Sequence, residues 1–489
     1  MRLAIIIIIA TCCNAQPYGV IVPAAQWFVD SVGGSDSNAG TSVTVPFQTI
    51  AKLQMQSIQS GDTVAVKCGS SWRETYSPPA NTTLISYGIC TSDSDLPLFD
   101  GSNSISSGSW SKTGGQTNVY QITVTTESPG AAGFVNVFEN GNIMARATSI
   151  ANCDAIEGSA YPSTDSASPV TLYIHPTGNG NPASNGKTYD YAARTAEIYA
   201  GNNVKIINVR ARRTSGAEGI VVCGNDCQIV GGVFSEGARH NLLTRKNTYV
   251  RGTKAYDGYN TGGTSLFVYF IADAAGSPAT YIDTVAAKTA VSPEKVGGYD
   301  GHVSGGQDFG TVTFLRASCD LCATAFAGGG VDVLCYGCVA TGSITGSSNS
   351  GTRTTLYSGC TITGSALTAI SPTSGTTTIQ NCELSSLIGT YAIQSITATT
   401  AISITDSNIH TSSGVIQMFQ TLGLFTSLRN TIVSPSNLYL FGANTPTINS
   451  DYNTFTFASP TPMKLSGADI SYATYKTQTG QDAHSSVVP

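Results

Sequence analysis

Charge is what this chain has least of. Asp, Glu, Lys and Arg make up 11% of its 489 residues, against about a quarter in ordinary soluble domains. With 24 basic and 30 acidic side chains the net charge is −6. Binding a phosphate backbone needs a basic surface, so nucleic acid is excluded as a partner. Long apolar runs are missing too. Beyond the short stretch Leu3 to Ala10 nothing approaches the roughly 20 residues that cross a bilayer, and no membrane span is expected. Disorder would pair low hydrophobicity with high net charge; here 41% of residues are hydrophobic, so the chain is expected to fold. What it does have is 52 glycines among many Ser, Thr, Val and Ile residues, a composition suited to β structure.

The first fifteen residues read as an export signal. Arg2 supplies the positive start, Leu3 to Ala10 the apolar run, and Cys13-Asn14-Ala15 a small-residue cleavage site before Gln16. The mature protein is therefore expected to be secreted, extracellular or periplasmic. Of the 13 cysteines, Cys12 and Cys13 leave with the signal, so 13 − 2 = 11 remain, an odd number. Export permits disulfides, and Cys68 with Cys90 is the pair expected first. Asn81-Thr82-Thr83 fits the N-glycosylation sequon.

Periodicity sets the architecture. From about Val204 a short β run, a turn, a second β run and then Gly or Ser recur. Val204 to Val209, Thr377 to Cys382 and Ala401 to Asp406 are versions of one unit. Cys319, Cys338, Cys360 and Cys382 follow one another at 19, 22 and 22 residues. A coil of about 22 residues stacks equivalent positions about 4.8 Å apart, so these four cysteines are expected to form an internal ladder. Cys319-x-x-Cys322 with Cys335-x-x-Cys338 has zinc-site spacing, but a ladder running on through Cys360 and Cys382 is not explained by zinc. Phe47 to Ile58 has helical apolar spacing and would cover the open end of the stack.

The fold expected is all-β, a right-handed parallel β-helix with an N-terminal capping helix and a β-rich insertion. Residues 1–15 are assigned to the signal, 16–100 to the cap and first coils, 101–200 to the insertion, 201–460 to the coils and 461–489 to a C-terminal cap or tail. Trp27-Phe28-Val29-Asp30, Gly34 to Thr41, Pro46 to Ile50 and Gly61-Asp62-Thr63-Val64 resemble the N-terminal coil of pectate-lyase-like right-handed parallel β-helix proteins. That superfamily holds lyases, hydrolases, epimerases, depolymerases and adhesins, so the resemblance speaks for fold and leaves the reaction open.

Charge is concentrated between residues 236 and 308, where Glu236, Arg239, Arg245, Lys254, Asp257, Asp300 and Asp308 fall together with His240 and His302. Aligned on their β runs, Arg239 and His240 are expected at one sheet edge, with Asp300 and His302 about two coils away, roughly 10 Å. Gly298-Tyr299-Asp300-Gly301-His302 is similar to the glycine–aromatic–Asp–Pro–His segment of mannuronan C5-epimerases. It departs from that segment at Gly297 and Gly301, which stand where the family has Tyr and Pro. The resemblance implies that Asp300 and His302 are catalytic. Removing a proton beside a uronate carboxylate takes a base within reach and a cation against the developing charge. His240, His302 or Tyr299 would supply the first, and Arg239, Arg245 or Lys254 the second. Tyr256, Tyr299, Lys254, Arg245 and Asp257 are expected to bind substrate. Calcium could replace the cation if Asp257, Asp300 and Asp308 converge. The expectation is a lyase or C5-epimerase acting on an acidic polysaccharide. A glycoside hydrolase on the same fold, needing two carboxylates, and a glycan-binding or adhesin-type surface protein are the alternatives.

Overall fold

In each coil a strand of one sheet turns a tight corner into a second sheet. It then passes a longer corner into a third and returns to the first one rung up. The coordinates are a computed structural model. It describes residues 24–488 apart from 128–133, 217–218, 259–267, 274–277, 289–296, 303–309, 323, 330, 343–344, 351–353, 366–367, 373–374, 387–390, 396–400, 412–413, 419–422, 435–436 and 442–446. Among these, the first and second sheets have 14 strands each and the third 13, giving a parallel β-solenoid of about 13 turns. Successive coils pair in parallel, as Thr377↔Ile402↔Phe425 does on the first sheet.

The tight corner explains why the sequence repeats. Its first residue has a left-handed φ: Gly337, Gly359, Asn381, Asp406, Arg429 and Tyr452 in successive coils, all between 52° and 64°. Gly, Asn and Asp adopt that conformation most readily. The two arginines found there, Arg316 and Arg429, each make a two-pronged ion pair with the corner aspartate one coil earlier, Asp283 and Asp406.

The next residue turns inward and forms the ladder. Its members are Thr253, Thr284, Ala317, Cys338, Cys360, Cys382, Ser407, Asn430 and Asn453, each accepting the backbone N–H at the start of the next second-sheet strand. The expected ladder of four cysteines is thus corrected to three. Cys319 lies two residues past the ladder position, on the second-sheet strand Ser318–Asp320 in register with Ala286 and Ala340, and is disulfide-bonded to Cys322. Cys335 and Cys338 are thiols, and no group of three metal-ligating side chains occurs among the described residues. Cys68 and Cys90 form the expected disulfide.

Toward the C-terminal end the ladder becomes a hydrogen-bonded column. The Cys360 N–H donates to the Cys382 sulfur at 3.4 Å, Cys382 N–H to Ser407 Oγ at 3.1 Å, Ser407 N–H to Asn430 Oδ1 at 3.0 Å, and Asn430 N–H to Asn453 Oδ1 at 2.9 Å. Asn430 also donates to the Ile404 carbonyl at 3.0 Å. Asn430→Ala leaves a buried donor and a buried acceptor unmet, and is expected to destabilise by about 2–4 kcal/mol. Asn430→Ser, the residue one rung below, should recover part of that. The midpoint of urea unfolding measures both.

Both ends are covered. The helix Ile50–Gln54, capped by Thr49 Oγ1 on the Lys52 N–H at 3.0 Å, puts Ile50 and Leu53 into the core. At the other end the hairpin of Met463–Leu465 with Ala468–Ile470 and the helix Tyr472–Thr479 bring Tyr475 onto the last coil. Among the described residues no helix is long and apolar enough to cross a membrane. The insertion leaves the second sheet after Asp100 and rejoins the third at Ile198. It folds as two sheets, of four and five strands, over its own apolar cluster including Trp110, Val137, Leu172 and Tyr189.

Candidate functional site

The insertion occupies the longer corner, between the second and third sheets. The two longest coils add residues at this corner too, and the second of them also between the third sheet and the first. Measured from ladder to ladder, Thr253 to Thr284 is 31 residues and Thr284 to Ala317 is 33, against 22 from Cys338 to Cys360.

Along that corner the residue just after each second-sheet strand stacks on its equivalent one rung away. The N–H of Arg213 bonds Ser235 O, that of Glu236 bonds Tyr256 O, that of Asp257 bonds Ala287 O, and that of Lys288 bonds Asp320 O. Arg213, Glu236, Asp257 and Lys288 therefore form a charged column, about 4.8 Å per step. The first three have φ of 67°, 65° and 49°, a conformation Arg and Glu seldom take.

Arg213 binds this column to the insertion. Its Nε lies 2.7 Å from Glu236 Oε2 and its Nη1 3.4 Å from Asp190 Oδ2. Nη2 donates to the Gly141 carbonyl at 2.7 Å, and the guanidinium stands 4.2 Å from the centre of the Phe138 ring. Burial would lower its pKa, but Glu236, Asp100 and Asp190 outweigh burial and raise it. Asp100, also buried, is held at 2.7 Å by Arg212 and accepts from Ser102 Oγ at 2.6 Å. Burial raises its pKa, yet Arg212, Ser102 and Arg213 bring it below the ordinary carboxylate value.

The expected site residues are scattered by comparison. His240 is buried, 2% exposed, on the third-sheet strand His240–Thr244, so it cannot touch a polysaccharide from there. Its register partner is Val268, and that residue's is Gly297. Asp300 and His302 thus stand three and five residues further along the strand than the point two coils above His240. At about 3.3 Å per residue His302 is displaced roughly 16 Å sideways. The two pairs do not flank one point, contrary to the alignment on β runs, which slips through the long coils. Tyr299 shares register with Phe270 and Phe326. The side chains of Tyr299, Asp300 and His302 lie outside the described residues, as does all of Asp308, so a calcium site with Asp257 is not assembled among those described.

Lys254 and Tyr256 are on the second sheet, not the third. Lys254 Nζ is 2.6 Å from Asp93 Oδ2, which raises its pKa, and Tyr256 packs beside Cys90, Leu96 and Val233. Arg245 follows the third-sheet strand, at the opposite corner. Of the expected residues, Arg239 and Asp257 belong to the charged corner. Arg213, Asp100 and Asp190 were missed, and Glu236 was noted only as a charge. The run Arg210-Ala211-Arg212-Arg213 in so uncharged a chain is the signal that could have found them.

No protein-family model matches the chain, and no curated protein matches it by sequence. Solved structures do. A structure described as the complex of XylC with xylose aligns at TM-score 0.55 and 11% identity, over 94% of this chain and 85% of that one. A glycoside hydrolase aligns at 0.41 and 9% over 94% and 99%, and a GH136 lacto-N-biosidase from Eubacterium ramulus at 0.35 and 8% over 95% and 67%. At such identities the first likeness speaks for a shared fold.

Proposed function

We propose that the protein is an exported polysaccharide-active enzyme, a glycoside hydrolase working at the corner where Glu236 and Asp257 occupy adjacent rungs. That adjacency is the observation carrying the reading. Glycoside hydrolysis takes two carboxyl groups, about 5–5.5 Å apart for retention and 6.5–9.5 Å for inversion. Neighbouring rungs put the two backbones about 4.8 Å apart, close enough for both side chains to reach one glycosidic bond. Glu236, held by Arg213 at 2.7 Å, suits the nucleophile. Asp257 then suits the acid that protonates the leaving oxygen. The neighbour solved with xylose supports a sugar as ligand. The export signal expected at residues 1–15 agrees with a substrate outside the cell.

A lyase or C5-epimerase on a uronate polysaccharide is the second reading, favoured by Arg239 and Lys288 at the same corner and by the segment Gly298 to His302. Incubation with neutral and uronate polysaccharides separates the two. New reducing ends without the ultraviolet absorbance of an unsaturated uronate are expected. Absorbance would mean a lyase. Altered uronate configuration without cleavage would mean an epimerase. Binding without any product would mean a non-catalytic glycan-binding protein.

A further inference from the structure

Glu197 is wholly buried, and neither carboxyl oxygen has a hydrogen-bond partner among the described residues. It is the last residue of the insertion before the third-sheet strand Ile198–Ala200. Gly101, just beyond Asp100 where the chain enters the insertion, faces it so closely that a Cβ there would lie 1.9 Å from Glu197 Oε1. The two ends of the insertion thus meet at this carboxyl. Gly101 is itself fixed on both sides, its N–H on the Arg212 carbonyl at 2.9 Å and its carbonyl on the Ala193 N–H at 2.8 Å.

The charges around Glu197 pull in both directions, and burial decides against an anion. Asp100 lies on the second-sheet side. Glu127, from the insertion, accepts the Thr195 N–H at 2.9 Å. Arg194 donates to the Ser102 carbonyl at 3.2 Å and to the Arg73 carbonyl. The Thr214 hydroxyl donates to the Arg194 carbonyl at 3.0 Å, leaving Glu197 an acceptor but no donor. On the third sheet the neighbours are backbone, the Ile220 carbonyl and, through Glu197's own carbonyl, the Tyr76 N–H. Burial raises the Glu197 pKa well above the ordinary glutamate value; Arg194 and the Thr214 hydroxyl oppose this, and Asp100 and Glu127 add to it.

We propose that Glu197 is a proton-operated latch: it holds the insertion on the coils as a neutral acid, and its ionisation lets the insertion lift away. The latch stands apart from any reaction at the corner. A carboxyl whose pKa is raised by docking stabilises the docked state fully below the undocked value, about 4.3. That contribution is lost as pH rises toward the docked value, by up to about tenfold in the docking equilibrium per pH unit.

Amide hydrogen exchange of the insertion strands Val137–Glu139 and Tyr189–Ala192, read against the coil strand Thr431–Ser434, tests it. From about pH 5 to about pH 8, with intrinsic exchange corrected, the opening of the insertion should rise by up to tenfold per unit and that of the coil should not. In Glu197→Gln the rise should vanish, because the amide fills the same space and does not titrate. An equal pH slope in both proteins overturns the latch. If the glutamine variant does not fold, a pH-independent opening in the wild type overturns it and the predicted rise supports it.

Discussion

Replacing Glu236 by glutamine, or Asp257 by asparagine, is expected to lower turnover of a cleaved glycan by roughly 10³-fold, within the range for losing a positioned acid, base or nucleophile. KM should change little, since both amides keep the shape of the corner. The two losses should be far from additive, because each residue serves the same bond cleavage. Glutamine at 236 can still accept from Arg213 Nε, now 2.7 Å from the carboxylate, so the fold should survive. Thermal unfolding of each variant verifies that. Product configuration gives an independent check: with Glu236 as nucleophile the anomeric configuration of the substrate is retained. Both variants keeping activity within tenfold of the parent would place the chemistry elsewhere.

The solenoid was legible because its corners repeat a chemical demand. A residue that tolerates a left-handed φ is followed by a small or polar residue that satisfies the next rung, and the cysteines at 338, 360 and 382 mark that place every 22 residues. The same ruler failed one coil earlier, where the ladder position is Ala317. Alanine leaves no polar mark, and Cys319, two residues on, took its place in the count. The site was less legible for a related reason. Coils of 31 and 33 residues add their extra length at the corners, so aligning β runs there cannot fix register, and His240 was matched to Asp300 instead of Gly297. The contacts that build the charged corner have no period at all. Arg213 meets Glu236 one coil on, but Asp190 and Gly141 only through the fold of the insertion, 23 and 72 residues earlier.

Arg213→Ala is expected to be the most disruptive single change to the fold, at about 3–5 kcal/mol, as for breaking a buried ion pair by removing one partner. The side chain is 3% exposed, so water does not replace what is lost. Glu236 would lose its arginine and the Gly141 carbonyl its donor, while Asp190 would keep only Arg73, at 3.1 Å. Alanine would keep the left-handed φ of 67° and gain nothing from it; Arg213→Gly relieves that strain and should be milder by about 1 kcal/mol. Lysine keeps a charge but cannot reach Glu236, Asp190 and Gly141 at once, because it lacks the planar fork. The damage should be local. Exchange protection should fall in Val137–Glu139 and Tyr189–Ala192, which Arg213 ties down, while coils beyond Thr431, many rungs away, keep theirs, since each coil of a solenoid contacts only its neighbours. Acid should reproduce part of the effect in the parent protein. Asp100 has a depressed pKa in the folded state, so its contribution is present above the ordinary aspartate value, about 3.9, and is lost as pH falls through the lower folded value. Below that range the arginine variant and the parent should converge in insertion protection. If they stay as far apart in acid as at neutral pH, the insertion is held by its apolar contacts and not by this network.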